Sequence, residues 1–179
     1  QGMKPAAFDY VRADSAAVAA ELLQRHGEGA RILAGGQSLM AVLNMRLAQP
    51  ALLIDISRSA ELASITVEPR ALRVGAAVTQ AQLQAHPDVP PLLALAMPHI
   101  SHVQIRNRGT VCGSIAHADP SAELPLCLVA LQGTVHLRSA RGRRQVAAND
   151  FFTGLLSTAR RADELIEAVS FPRPAAGQS

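Results

Sequence analysis

An α+β fold with an α/β N-terminal part is predicted by three observations. Apolar residues in the first third switch between helical spacing and short buried runs. Beyond 57–61 they alternate at period two around a turn, and the chain closes on an apolar strand over 165–171. At 179 residues, with 49 % hydrophobic and 17 % charged side chains, the composition is that of one or two compact units rather than a disordered chain.

Taken in order, Asp14 or Ser15 caps a helix in which Val18, Leu22 and Leu23 recur at helical spacing, and Gly27 and Gly29 end it. Residues 31–34 read as a short strand running into Gly35 and Gly36, after which 38–47 regain helical spacing until Pro50 breaks it. A second buried strand over 52–56 completes a βαβ-like crossover unit. Ile65 and Val67, then Leu72 and Val74, alternate on either side of Glu68, Pro69 and Arg70 as a hairpin. Thr79 caps a helix to about Ala85, and Pro90 with Pro91 opens another that ends near Pro98. A glycine-bearing loop follows, then a helix over 121–131, a strand over 134–137, a turn over 140–143 and the last strand before Pro172 and Pro174. Gln1 and Gly2 precede Met3 and stay outside the fold reading. The expected division is a small βαβ-like subdomain over 3–57, a larger α+β subdomain over 58–174 and a tail over 175–179.

Composition removes several functions. Apolar runs such as 91–97 are far shorter than the roughly 20 residues that cross a bilayer, and no secretory signal is read, so a cytoplasmic protein without a membrane span is expected. Cys112 and Cys127, with no second pair, form neither a disulfide framework nor a zinc or iron–sulfur cradle. Lys4 is the sole lysine and sits at the N-terminal end, which leaves no lysine for Schiff-base chemistry. Aromatic residues at 3 % and the absence of tryptophan deny the chain a stacking platform, so no nucleic-acid partner is expected.

Two glycine-containing segments stand out. In ILAGGQSLM over 32–40, paired glycines free the backbone for positive φ and let successive N–H groups converge on an anion; an ordinary strand-to-helix turn is the other reading. In RNRGTVCGSIAHADPSAELP over 106–125, Gly109 and Gly113 bracket Thr110, and Ser114 follows. Neither segment matches G-x-G-x-x-G or G-x-x-x-x-G-K-[ST]. Two neutral loops, one for each phosphate, nevertheless suit a diphosphate. Asp119 and Glu123 flank Pro120, as hydroxyl acceptors, as a helix cap or as an acid–base pair. His99 and His102 have metal-ligand spacing but read as surface or packing histidines, and Arg138, Arg141, Arg143 and Arg144 read as a solvated hairpin tip, with an acidic partner as the alternative.

AGGQS at 34–38, RNRGT at 106–110 continuing into SIAHADPSAELP, and FPRP at 171–174 resemble the FAD-binding medium subunit of molybdenum hydroxylases, the carbon monoxide dehydrogenase and xanthine dehydrogenase flavoprotein family. The likeness covers nearly the whole chain. It implies a two-subdomain FAD-binding fold of the vanillyl-alcohol-oxidase (PCMH) type. By the same resemblance, Ala34, Gly35, Gly36, Gln37 and Ser38 hold one side of the pyrophosphate, and Thr110, Val111, Cys112, Gly113 and Ser114 the other. Ile32, Leu33 and Leu39 line the site, Glu123 binds ribityl or ribose hydroxyls, and Ile100 and Ile166 border the ring systems. Where the family has two glycines this chain has Cys112 then Gly113, which is expected to put a side chain into the nest. The family continues past FPRP into a further domain, which this chain is expected to lack.

The function so implied is electron transfer through FAD, from iron–sulfur clusters on one partner subunit to an external acceptor, with substrate oxidised on a molybdopterin subunit. No catalytic side chain and no metal site are expected in this chain. Two alternatives stand beside it: a nonenzymatic flavin- or nucleotide-binding regulatory or assembly module, and an enzyme that turns over its own small substrate on FAD.

Overall fold

The computed structural model describes residues 9–35, 50–100, 103–119 and 121–174. The helix expected over 38–47 lies outside these residues, as do Gly36, Gln37, Ser38 and Leu39.

The strands in chain order are β1 (Asp9–Arg12), β2 (Ala30–Leu33), β3 (Leu52–Asp55), β4 (Ile65–Val67), β5 (Ala71–Gly75), β6 (Thr134–Ser139), β7 (Gly142–Ala147), β8 (Phe152–Gly154), β9 (Ser157–Thr158) and β10 (Leu165–Pro172). The first three form a parallel sheet in the order β1–β3–β2, with Ile54 opposite Val11 on one side and Ile32 on the other. An antiparallel sheet runs β4–β5–β10–β6–β7, and β8 pairs with β9 as a separate hairpin. β10 is the middle strand of the larger sheet, which explains why it reads as a continuous apolar run: its residues are buried on both faces until Pro172.

The helices are α1 (Ala16–His26), α2 (Gln80–Gln84), α3 (Pro91–Ala96), α4 (Val103–Arg108), α5 (Val111–His117), α6 (Glu123–Ala130) and α7 (Ala148–Phe151). Ser15 caps α1 by accepting the Val18 N–H at 3.2 Å, and Gly27 ends it with φ 54°. The buried stripe of α1 is Ala16, Ala19, Ala20 and Leu23, whereas Val18 faces solvent. These small side chains let α1 sit between the two sheets, touching β2 and β3 on one side and β6 and β10 on the other. Buried apolar residues of both sheets join in one cluster around it.

Three local expectations are corrected. The glycine-bearing loop expected between Pro98 and Ser121 instead contains α4 and α5, separated by Gly109 and Thr110. α6 starts at Glu123 behind Ala122, and Asp119 turns back onto the Ser121 N–H and hydroxyl at 2.9 and 2.8 Å rather than capping the helix. The arginines of the β6–β7 hairpin include a solvated tip, since Arg141 and Arg143 are exposed, but each of the four also has a carboxylate partner. Arg141 pairs with Asp163, Arg144 with Glu164, and Arg138 and Arg143 with Glu167, which ties the hairpin to β10 and the turn before it.

Candidate cofactor site

An open cleft of about 810 Å³ lies where the ends of both sheets meet α5 and the start of α6. β2 brings Ile32, Leu33, Ala34 and Gly35 to one wall, the α4–α5 junction supplies Thr110, Cys112, Gly113 and Ser114, and Ile100, Glu123 and Ile166 complete the set. All of these were picked out from the sequence. Val111 is the exception among the described candidates: it is fully buried, does not line the cleft, and its N–H donates to Val78 O at 3.2 Å.

The two glycine segments touch. A Cβ on Gly35 would stand 2.2 Å from Arg108 O and 2.9 Å from Gly109 Cα. Positive φ is not the reason for this glycine, since among the described residues only Gly27 and Gly142 are glycines of that kind. Gly35 is a glycine because main chain passes main chain there. The far side of the contact is held in place: Gly109 O accepts the Gln80 N–H at 2.8 Å, and Thr110 bridges to Thr79. Thr79 is itself fixed by a capping box with Gln82.

The second segment is not an open nest of amides. Thr110 Oγ1 accepts the Gly113 N–H at 2.9 Å, and Thr110 O accepts the Ser114 N–H at 3.2 Å. Gly113 is there for that cap, because a Cβ would lie 2.6 Å from Thr110 Oγ1. Hydroxyl hydrogens are also on hand for an anion: Thr110 accepts with its oxygen and still has its O–H to donate, and Ser114 adds a second hydroxyl on the cleft wall. Cys112 does not intrude. Its Sγ points to Val74 O at 3.6 Å inside the core, where burial pushes the thiol up to about 12.

Sequence reasoning missed two arginines in the cleft lining, Arg31 and Arg160, where Glu164 also lies. Arg160 donates to Arg161 O at 2.9 Å and Glu164 O at 2.7 Å, and Arg31 donates to Glu28 O and Ala30 O. Among the described residues neither forms an ion pair. Burial, then the nearby Arg31, hold Arg160 below the ordinary arginine value without discharging it. Asp119, half-buried in the cleft lining, is held below the usual carboxylate value by the Ser121 N–H and hydroxyl. Gln80, also missed, lines the cleft while buried. No sequence signal marks it, because a polar residue at a helix start reads as solvent-facing. The only rings in the cleft lining among the described residues are the imidazoles of His99 and His117, with no Phe, Tyr or Trp, and the described residues include no group of three or more side chains able to hold a metal ion. No helix among them is long and apolar enough to cross a membrane.

A cleft of this volume, whose lining mixes apolar side chains, hydroxyls and charges of both signs, has room for a dinucleotide. A family model described as the FAD binding domain in molybdopterin dehydrogenase matches residues 6–174. The chain is 43 % identical to the nicotine 6-hydroxylase medium subunit of Paenarthrobacter nicotinovorans, over 95 % of this chain and 61 % of that subunit. It is 38 % identical to the carbon monoxide dehydrogenase medium chain of Hydrogenophaga pseudoflava, over 98 % of this chain and 62 % of the relative. A solved structure of the Hydrogenophaga pseudoflava carbon monoxide dehydrogenase superposes with a TM-score of 0.92 at 39 % identity, covering 98 % of this chain and 62 % of that one. The chain thus spans about three fifths of the length of these relatives. With fold, cleft and sequence in agreement, the chain belongs to the family of FAD-binding domains of molybdopterin dehydrogenases.

Proposed function

We propose that the cleft holds FAD and that the chain is the flavin module of a molybdenum hydroxylase, placed between an iron–sulfur subunit and an external electron acceptor. The observation that carries this reading is the main-chain contact of Gly35 with Arg108 and Gly109, which brings the two segments proposed to hold the pyrophosphate into one place. Ala34, Gly35, Gly36, Gln37 and Ser38 form one side of that cradle, with the Thr110 and Ser114 hydroxyls on the other. Ile32, Leu33, Leu39, Ile100 and Ile166 offer apolar surface to the rings, and Glu123 accepts from sugar or ribityl hydroxyls. Residues 3–57 and 58–174 act as the two subdomains that enclose the cofactor.

When bound, FAD supplies the reversible electron chemistry that no side chain of this protein provides. The chain's own residues bind and orient it, so no acid, base or nucleophile is assigned. Two cysteines cannot hold the clusters such a pathway needs, which supports a separate iron–sulfur partner and a molybdopterin partner where substrate is oxidised. The relatives' names are those of hydroxylase and dehydrogenase subunits, which supports a redox role over a nonenzymatic binding or assembly module. Two free, buried thiols fit a reducing cytoplasm.

The test is anaerobic mixing of the FAD-loaded chain with a chemically reduced iron–sulfur protein. The flavin absorbance is expected to bleach and to return when an oxidant is added. Bound flavin that stays oxidised refutes the electron-transfer role. Bleaching by a small organic substrate alone favours an enzyme with its own substrate.

A further inference from the structure

The outer face of the larger sheet carries charge. Val74, Val135, Leu137 and Val169 belong to the buried core. Arg73, His136 and Arg138 alternate with them along β5 and β6 and therefore point to the opposite side. Cross-strand register sets Arg138 beside Arg143, and His136 beside Gln145 and the small Ala168. The register of β10 against β6 shifts between Ile166 and Ala168, and the extra residue, Glu167, is turned in among these arginines. Arg73, His136, Arg143, Gln145 and Glu167 line an open hollow of about 480 Å³ on this face. The hollow shares no lining residue with the cofactor cleft, so what it docks is independent of what the cleft binds.

Glu167 is shared loosely. Its buried carboxylate lies 3.5 Å from Arg138, 3.3 Å from Arg143 and 3.9 Å from Arg73, whereas Arg144 holds Glu164 at 2.7 Å. Bonds from a guanidinium to a carboxylate run at about 2.7–2.9 Å, so this one anion leaves its arginines with donors to spare. Arg73 makes no hydrogen bond among the described residues, and the side chain of Arg143 is 64 % exposed. Glu61, 3.7 Å from Arg138, is the second carboxylate of the ring, so three guanidinium charges face two carboxylates. His136 adds no charge at pH 7: burial and Arg73 hold its imidazole below the ordinary histidine value, and its Nε2 meets Ser170 Oγ at 2.7 Å. Guanidinium groups gathered around one carboxylate repel one another, and an incoming anion relieves that repulsion. The single positive charge left over matches a carboxylate, while a phosphate dianion exceeds it and meets Glu167. We infer that the hollow docks an acidic segment of a partner protein, with Arg73 and Arg143 donating to one of its carboxylates.

The test is fluorescence anisotropy of a dye-labelled hexaglutamate peptide titrated with the full chain at low ionic strength. The parent is expected to bind the peptide, and Arg73→Gln/Arg143→Gln to bind it about tenfold more weakly. Arg143→Gln alone removes an exposed side chain and leaves Arg73 and Arg138 on Glu167, so it keeps the parent's circular dichroism spectrum and is still expected to lose about threefold in affinity. Arg12→Gln/Arg25→Gln removes as many charges from β1 and α1 and is expected to stay within about twofold of the parent. Equal weakening in the two double variants overturns the inference, because it shows attraction to net charge and not to the hollow. So does a parent that leaves the peptide free, or a peptide affinity unchanged by Arg73→Gln/Arg143→Gln. Tighter binding of a labelled oligothymidylate, lost in that same variant, overturns the choice of occupant in favour of a nucleic acid.

Discussion

Replacing Gly35 by alanine tests the contact on which the cleft is built. The added Cβ would stand 2.2 Å from Arg108 O, 2.9 Å from Gly109 Cα and 3.0 Å from Arg108 C. A carbon resting against a carbonyl oxygen needs about 3.3 Å, so roughly 1 Å of separation has to open. The atoms it meets are main chain, and the Gln80 N–H and the Thr79–Thr110 bridge hold that side in place. The displacement therefore falls on Ala34 and Gly35. Overpacking of this kind costs about 1–3 kcal/mol, and in a chain of this size each kcal/mol lowers the melting temperature by about 2–4 °C. FAD affinity is expected to fall at least about tenfold, because the same shift widens the proposed cradle. Gly29→Ala is the matched control. Its Cβ would find only Ala51 Cβ at 4.0 Å, and Gly29 has no positive φ, so stability and binding should match the parent or improve slightly. Circular dichroism melts and flavin titrations on both variants provide the comparison. A Gly35→Ala chain that melts and binds like the parent refutes the contact.

Three further outcomes are expected. Cys112→Gly lowers the melting temperature, since it removes a buried side chain from α5 and costs about 1 kcal/mol of helix propensity, and it does not improve FAD retention; improved retention contradicts the position of Sγ against Val74. The native Cys112 thiol resists Ellman's reagent at pH 8. Because the folded chain holds that proton up to about 12, against 9.0 for a free thiol, its contribution to stability is complete below pH 9 and declines as the pH rises above it, a decline that Cys112→Ala should abolish in alkaline melts. Arg144→Ala strips Glu164 of a two-pronged partner at 2.7 and 2.8 Å and leaves a buried carboxylate, at a cost of about 3–5 kcal/mol by urea unfolding. Burial pushes the Glu164 carboxyl up, but the bonds from Arg144 and Arg161 outweigh it, so the parent keeps this stabilisation above pH 4.5 and loses it as the pH falls through the lowered value. The deficit of Arg144→Ala should shrink on acidification, and a constant deficit contradicts the pairing.

The sequence made the periodic elements legible where one face or both faces are buried. Ser15 and Gly27 bound α1, and the run ending at Phe171 is the middle strand of the large sheet. β1 escaped notice because Asp9, Tyr10 and Arg12 are exposed and leave only Val11 as an inward signal. β7 escaped for the same reason: Arg143 and Arg144 read as a charged tip, although they are held by Glu167 and Glu164 from a distant part of the chain. The segment at Thr110 shows the sharper limit. Glycine normally argues for a loop, yet Gly113 lies inside a helix because its missing Cβ leaves room for the Thr110 cap. Close approach, as at Gly35, and an unmade hydrogen bond, as at Gln80, depend on neighbours remote in sequence and leave no local pattern to read.

The most direct test of the account is the visible absorption spectrum of the purified chain after incubation with excess FAD and removal of free ligand by gel filtration. Flavin bands co-eluting with the protein, close to one cofactor per chain, are the predicted result. A colourless protein that is folded by circular dichroism would contradict the claim that the cleft between the glycine segments is sufficient to hold FAD.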